Sequence, residues 1–146
     1  RSRRQRQMCI RDSNHSRAEL EQVLQAFADN DIHNVLALRG DPPGDPLGVW
    51  RKHPDGVEFA SELVEIIRER GGFHIGVAAF PSGHFRAPTL EADTQFTLQK
   101  LRAGASFAVT QIFFEADAYL RLRDRLVAAD MESGSRPLIP SIMPIM

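Results

Sequence analysis

The chain is poor in cysteine. Among its 146 residues a single one, Cys9, carries a thiol, so no internal disulfide can form and no zinc site can be built from thiolates alone. This usage fits a reducing compartment, and a cytoplasmic location is the expectation. Charge imbalance is also lacking: 18 Lys and Arg against 19 Asp and Glu leave a formal net charge of −1. That balance offers no electrostatic footprint for nucleic acid or an anionic membrane. No apolar run approaches the ~20 residues that span a bilayer. His33, His53 and His74 lack ligand spacing with one another or with carboxylates, so no metal is expected. What the chain does have is 42% hydrophobic residues, which argues against disorder over most of its length.

Arg1, Arg3, Arg4 and Arg6 crowd the first six positions. A targeting or phosphate-binding arm is one reading. A frayed or truncated start over residues 1–7 is the simpler one and is the expectation.

Strand and helix signals then alternate. Met8 to Ile10 reads as the stub of a strand. Ser16 and Glu19 have capping-box spacing, and Leu20, Val23, Leu24 and Phe27 recur at helical intervals as far as Asn30. Asn34 to Leu38 is a short buried strand. Phe59, Leu63, Ile66 and Ile67 line one face of a second helix that stops at Gly71-Gly72. Ile75 to Phe80 forms the next strand, and Thr89 caps a helix whose inner stripe is Leu90, Leu98 and Leu101. Phe107 to Phe114 is a further strand. Tyr119, Leu122 and Leu126, with Leu120 and Val127, mark another helix. A Gly-Ser turn at 133–135 leads to a last strand over 138–142. This is the rhythm of βα units with parallel strands. A doubly wound sheet and a (β/α)8 barrel both fit. A complete barrel needs at least ~200 residues, so as a barrel this chain is an incomplete one, a single domain over 1–146.

Polar residues gather where strands end, which is where parallel α/β folds bind ligands. Leu38 leads to Arg39-Gly40-Asp41, a cation, an unobstructed backbone and a carboxylate. An ordinary turn with a local ion pair explains the triplet equally well. His84 is either a donor to a ligand or a solvated loop histidine. Gln111, inside an apolar run, needs a backbone partner or a ligand, because an unpaired buried amide costs about 1–3 kcal/mol. Asp93 and Lys100 share a helix face two turns apart, which by spacing alone reads as a solvated face.

Four motifs in register resemble the methylenetetrahydrofolate reductase family. They are Asn34-Val35-Leu36-Ala37-Leu38-Arg39-Gly40-Asp41-Pro42-Pro43; Gly76 to Pro81 with Gly83-His84 and Leu90-Glu91-Ala92-Asp93; Lys100 with Ala103-Gly104-Ala105 and Thr110 to Asp117; and Ile139-Pro140-Ser141-Ile142-Met143-Pro144-Ile145. The resemblance runs from about Cys9 to the end. It implies a (β/α)8 barrel, here roughly strands three to seven, binding FAD at its C-terminal face. The implied reaction is reduction of 5,10-methylenetetrahydrofolate to 5-methyltetrahydrofolate with NADH or NADPH, in one-carbon metabolism and methionine biosynthesis. A homo-oligomer is implied for the full-length form. Residue by residue, Asp41 matches the carboxylate that tunes the flavin and activates the folate. Arg39, Gly40, Phe59, Ala60, Phe80, His84, Ala87, Asp93 and Lys100 match FAD contacts, and Gln111 matches the amide that meets folate and nicotinamide. Departures from the family pattern are Phe80 in place of the usual Tyr, Phe85-Arg86 in place of Pro-Glu, and Phe96 and Gln99 at positions polar or basic elsewhere. The strand that carries the family's acidic Glu has no counterpart, nor does the eighth unit. The expectation is therefore an incomplete, inactive fragment of the enzyme; the alternative is a non-catalytic remnant that only associates with a partner.

Overall fold

Ser16 opens the first long helix by satisfying two backbone donors at once. Its hydroxyl accepts the Glu19 N–H, while the Glu19 carboxylate accepts the Ser16 N–H at 2.7 Å. Those bonds hold the Glu19 carboxyl below its ordinary range. Ser16→Ala should cost about 1 kcal/mol, measurable as a lower urea midpoint with an unchanged slope.

The structure is a computed structural model that describes residues 7–11, 15–39 and 53–143. In chain order the elements are β1 (Gln7–Arg11), α1 (Arg17–Asp29), β2 (Asn34–Leu38), α2 (Ala60–Arg70), β3 (His74–Ala79), α3 (Leu90–Ala103), β4 (Phe107–Thr110), α4 (Ala116–Ala129), α5 (Met131–Gly134) and β5 (Leu138–Ile139). The strand order in the sheet is the chain order, β1 to β5, and the pairings β1–β2, β3–β4 and β4–β5 are parallel. A doubly wound sheet reverses its strand order at a switch point. A barrel does not, so this order selects the barrel-type arrangement from the two that the αβ rhythm allowed.

The chain divides into two compact units, one ending at Ile75 and one beginning at Gly76. In the first, β1 and β2 pair from Gln7↔Asn34 to Arg11↔Leu38. Leu20 and Leu24 of α1, Val35 and Ala37 of β2, and Leu63, Val64, Ile66 and Ile67 of α2 are buried. Each large aliphatic side chain so buried contributes roughly 1.5–3 kcal/mol. The Arg17–Glu69 pair ties α1 to α2 at 2.9 Å but is exposed, so its contribution is small.

In the second unit, Leu98 and Leu101 of α3 and Ala118, Leu122 and Leu126 of α4 are buried, as are Val77 and Ala108 of the strands. Gly134 is required by close approach: a Cβ there would stand 2.1 Å from the Leu126 carbonyl oxygen.

Several expectations are corrected. Phe59 is the N-cap of α2 in extended conformation and is half-exposed, and Val64 joins the inner face instead. Leu90 begins α3 and is exposed; Thr94 and Thr97 complete that stripe. A residue at the mouth of a helix has no preceding turn to place its side chain over. Leu120 is exposed as well. β4 ends at Thr110 rather than 114, and β5 covers only Leu138–Ile139. Pro140, which follows β5, has no N–H to extend a ladder. The turn at 133–135 is the end of α5, capped by Asp130, whose carboxylate accepts the Ser133 N–H at 3.0 Å.

Candidate functional site

In the second unit the polar groups converge where β3 ends. Phe80 follows the strand and its carbonyl accepts the Gly83 N–H at 3.0 Å. Gly83 has φ +84°, a left-handed conformation that glycine adopts without steric penalty. The turn carries the chain into His84, whose carbonyl accepts the half-buried Ala87 N–H at 2.9 Å. The His84 ring meets the Phe80 ring edge-on at 4.6 Å and stacks on Phe85, also at 4.6 Å. The Arg86 N–H donates to His84 Nδ1 at 3.1 Å. The neutral imidazole therefore carries its proton on Nε2.

Asp93 lies under this loop, in the first turn of α3, where the helix dipole favours a carboxylate. It is only 3% exposed, so the solvated face that its spacing implied is not what forms. Oδ1 accepts the His84 N–H at 3.1 Å. Oδ2 is buried and has no hydrogen-bond partner among the described residues. Two turns further along, the Lys100 ammonium donates to the Ala78 carbonyl. Burial pushes the Lys100 pKa down to about 8, while the charge of Asp93 pulls it the other way. The two side chains thus act on each other despite their separation along the helix. A lysine side chain leans toward the helix N-terminus, which closes that gap.

Gln111 corrects an argument made from the sequence. It lies one residue beyond β4 and is exposed, so no buried-amide penalty arises. Its backbone N–H donates to the Ala79 carbonyl at 2.8 Å, which fixes the residue at the C-terminal end of the strands. The buried polar group is its neighbour Thr110, whose Oγ1 accepts the Ser141 N–H at 2.9 Å.

In the first unit Arg39 follows β2 directly, and its guanidinium stands 5.6 Å from the centre of the Phe59 ring. Ala60, the first residue of α2, is half-buried beside it in sequence. Gly40 and Asp41 lie outside the described residues, and with them the flavin-tuning carboxylate expected at Asp41.

One residue that the sequence reading passed over is Arg125. Its Nη2 reaches the Pro81 carbonyl at 3.4 Å, and its Nε is buried without a partner among the described residues. The signal was present: Arg125 is three residues after buried Leu122 and one before buried Leu126, which sets it at the border of the inner stripe of α4.

Parallel strands in chain order, with a lysine, a buried carboxylate and an imidazole-bearing loop at the end of β3, define an α/β protein of the barrel type with a polar site at its strand ends. A family model, that of methylenetetrahydrofolate reductase, matches residues 7–146. The chain belongs to the methylenetetrahydrofolate reductase family. It is 37% identical to the 5,10-methylenetetrahydrofolate reductase of Pectobacterium carotovorum subsp. carotovorum, over 89% of this chain and 40% of that protein. It is 38% identical to the enzyme of the same name from Escherichia coli, over 87% of this chain and 40% of that protein. It is also 38% identical to a probable methylenetetrahydrofolate reductase (NADPH) of Caenorhabditis elegans, over 90% of this chain and 19% of that protein. The chain therefore spans 40% or less of these relatives' length. Among the described residues no helix is long and apolar enough to cross a membrane.

Proposed function

We propose that the chain is one part of the catalytic barrel of a methylenetetrahydrofolate reductase, the part that holds FAD. The observation that carries the reading is the cluster at the end of β3, where Lys100, Asp93 and His84 meet in a family member at the positions expected for FAD contacts. The donor set suits the cofactor. Lys100 is a point charge for a diphosphate, and the buried, unpartnered Oδ2 of Asp93 is an acceptor for a hydroxyl. When bound, the flavin supplies the hydride chemistry, passing reducing equivalents from NADH or NADPH to 5,10-methylenetetrahydrofolate.

The protein's own share is positioning and charge. Lys100 neutralises phosphate charge. His84 sits on a loop whose backbone Asp93 secures. In the first unit Arg39, Gly40, Phe59 and Ala60 are taken as FAD contacts and Asp41 as the carboxylate that tunes the flavin and activates the folate, the roles that the family resemblance implies for them. Phe80 keeps a ring where a tyrosine would add a hydroxyl. Gln111, exposed beyond β4, presents an amide that both donates and accepts, as the edge of a pterin requires.

The test compares two forms of the protein. A longer form carrying these residues is expected to purify with a flavin spectrum and to oxidise NADH or NADPH with menadione as acceptor. The 146-residue chain alone is expected to hold little flavin and to show no turnover. A longer form that is colourless and inert toward both nicotinamides would refute the reading, and a yellow, active short chain would refute the partition.

A further inference from the structure

Among the described residues two buried side-chain polar atoms lack a hydrogen-bond partner, Asp93 Oδ2 and Arg125 Nε. Both belong to side chains that reach the same loop. Asp93 extends from α3 and accepts the His84 N–H. Arg125 extends from α4 and donates to the Pro81 carbonyl. The loop is thus gripped through its main chain, by an acid at one point and a base three residues earlier.

We propose that Arg125 is a positioning residue that anchors the root of the Phe80–Pro88 loop and, through it, sets the imidazole of His84. The inference rests on the reading of this loop as the one that faces the cofactor. Two observations support it. Arg125 is half-buried next to Leu122 and Leu126 of α4 with its Nε buried, where an apolar side chain would pack without leaving a donor orphaned. Among the described residues its hydrogen bond is to the loop, not to a carboxylate of its own helix; the exposed Arg123, by contrast, pairs with Asp124 at 2.7 Å. The bond to Pro81 measures 3.4 Å, at the long end for an N–H donor.

The acceptor is a main-chain oxygen, so no loop side chain is needed for the grip. The backbone is held from below. Release of Pro81 frees the turn that aligns the Arg86 N–H with His84 Nδ1, and with it the choice of tautomer.

The test uses hydrogen exchange and NMR on the 146-residue chain, with Arg125→Met, Arg125→Lys and, as a control, Arg123→Met. Arg125→Met keeps the stem and removes every donor; Arg125→Lys keeps the charge without the fork. Loop amides over 80–90 are expected to exchange about tenfold faster in Arg125→Met, the loss of one charge-assisted bond. The His84 ring should change from the Nε2–H tautomer to a mixture. Arg125→Lys should fall between the two, and Arg123→Met should match the parent. Loop exchange within about twofold of the parent, with the tautomer unchanged, overturns the assignment. A uniform rise across the whole second unit overturns it too, because it marks a purely structural arginine. No flavin enters these measurements, so the anchor and the cofactor reading can fail separately.

Discussion

Replacing Asp93 with alanine is expected to lower folding stability by about 1–3 kcal/mol, the usual cost of leaving a buried hydrogen-bonding group without its partner. That is a large share of the roughly 5–15 kcal/mol that holds a domain together. Two losses combine. The His84 N–H loses its acceptor at 3.1 Å, and the Lys100 ammonium loses the carboxylate that offsets its desolvation. Asp93→Asn separates them: the amide oxygen can still accept from His84, while the charge is gone. Urea unfolding of the three proteins should rank parent, then Asn, then Ala, with the Asn variant recovering at least a third of the loss. Equal stability of parent and Ala variant would show that the carboxylate neither secures the loop nor compensates the lysine.

Lys100 should make stability rise with pH in the alkaline range. Burial lowers its pKa from 10.5 to about 8 in the folded protein. Below pH 8 both the folded and the unfolded chain carry the proton, and the desolvation cost is borne in full. Between pH 8 and 10.5 the unfolded chain holds more protons than the folded one, so stability increases with pH. The gain is complete above the unfolded value and lost as pH falls through the folded one. Lys100→Met has no such term. The stability difference between Met variant and parent should therefore shift by about 3 kcal/mol in favour of the parent across that window. Denaturant melts at several pH values, taken as differences so that other groups cancel, measure it. A difference that stays flat with pH would place the ammonium in water. The same charge bears on the proposed cofactor: an anionic diphosphate favours the protonated lysine, so flavin affinity should decline as pH rises above 8.

The two helix cations show where sequence reading stopped. Lys100 and Asp93 were legible as residues on one helix face, and the family resemblance implied that both contact the cofactor. Their spacing argued for a solvated face. Burial reversed that, because Lys100 meets the carbonyl of Ala78, 22 residues earlier in the chain. Arg125 meets Pro81 across 44 residues, and no local pattern reports such a partner. Gln111 shows the opposite case. It was read as lying inside a strand that runs to Phe114, but β4 stops one residue before it, so its side chain is exposed rather than buried.

The sequence by itself determined the strands and the four long helices among the described residues, and their order. Caps at Ser16 and Thr89, stops at Gly71 and Gly104, and the stripes of α1, α3 and α4 depend on residues a few positions apart. Hydrogen bonds and helical periodicity act over that same short range. The motif register determined the family, because four matches in order constrain each other. Only the tertiary structure decided between barrel and doubly wound order, through the run from β1 to β5. It alone decided that Asp93 is buried and that Lys100 loses part of its affinity for a proton. Desolvation and charge coupling depend on what surrounds a group in space, and in the second unit those surroundings come from a strand, a loop and two helices drawn from different parts of the chain.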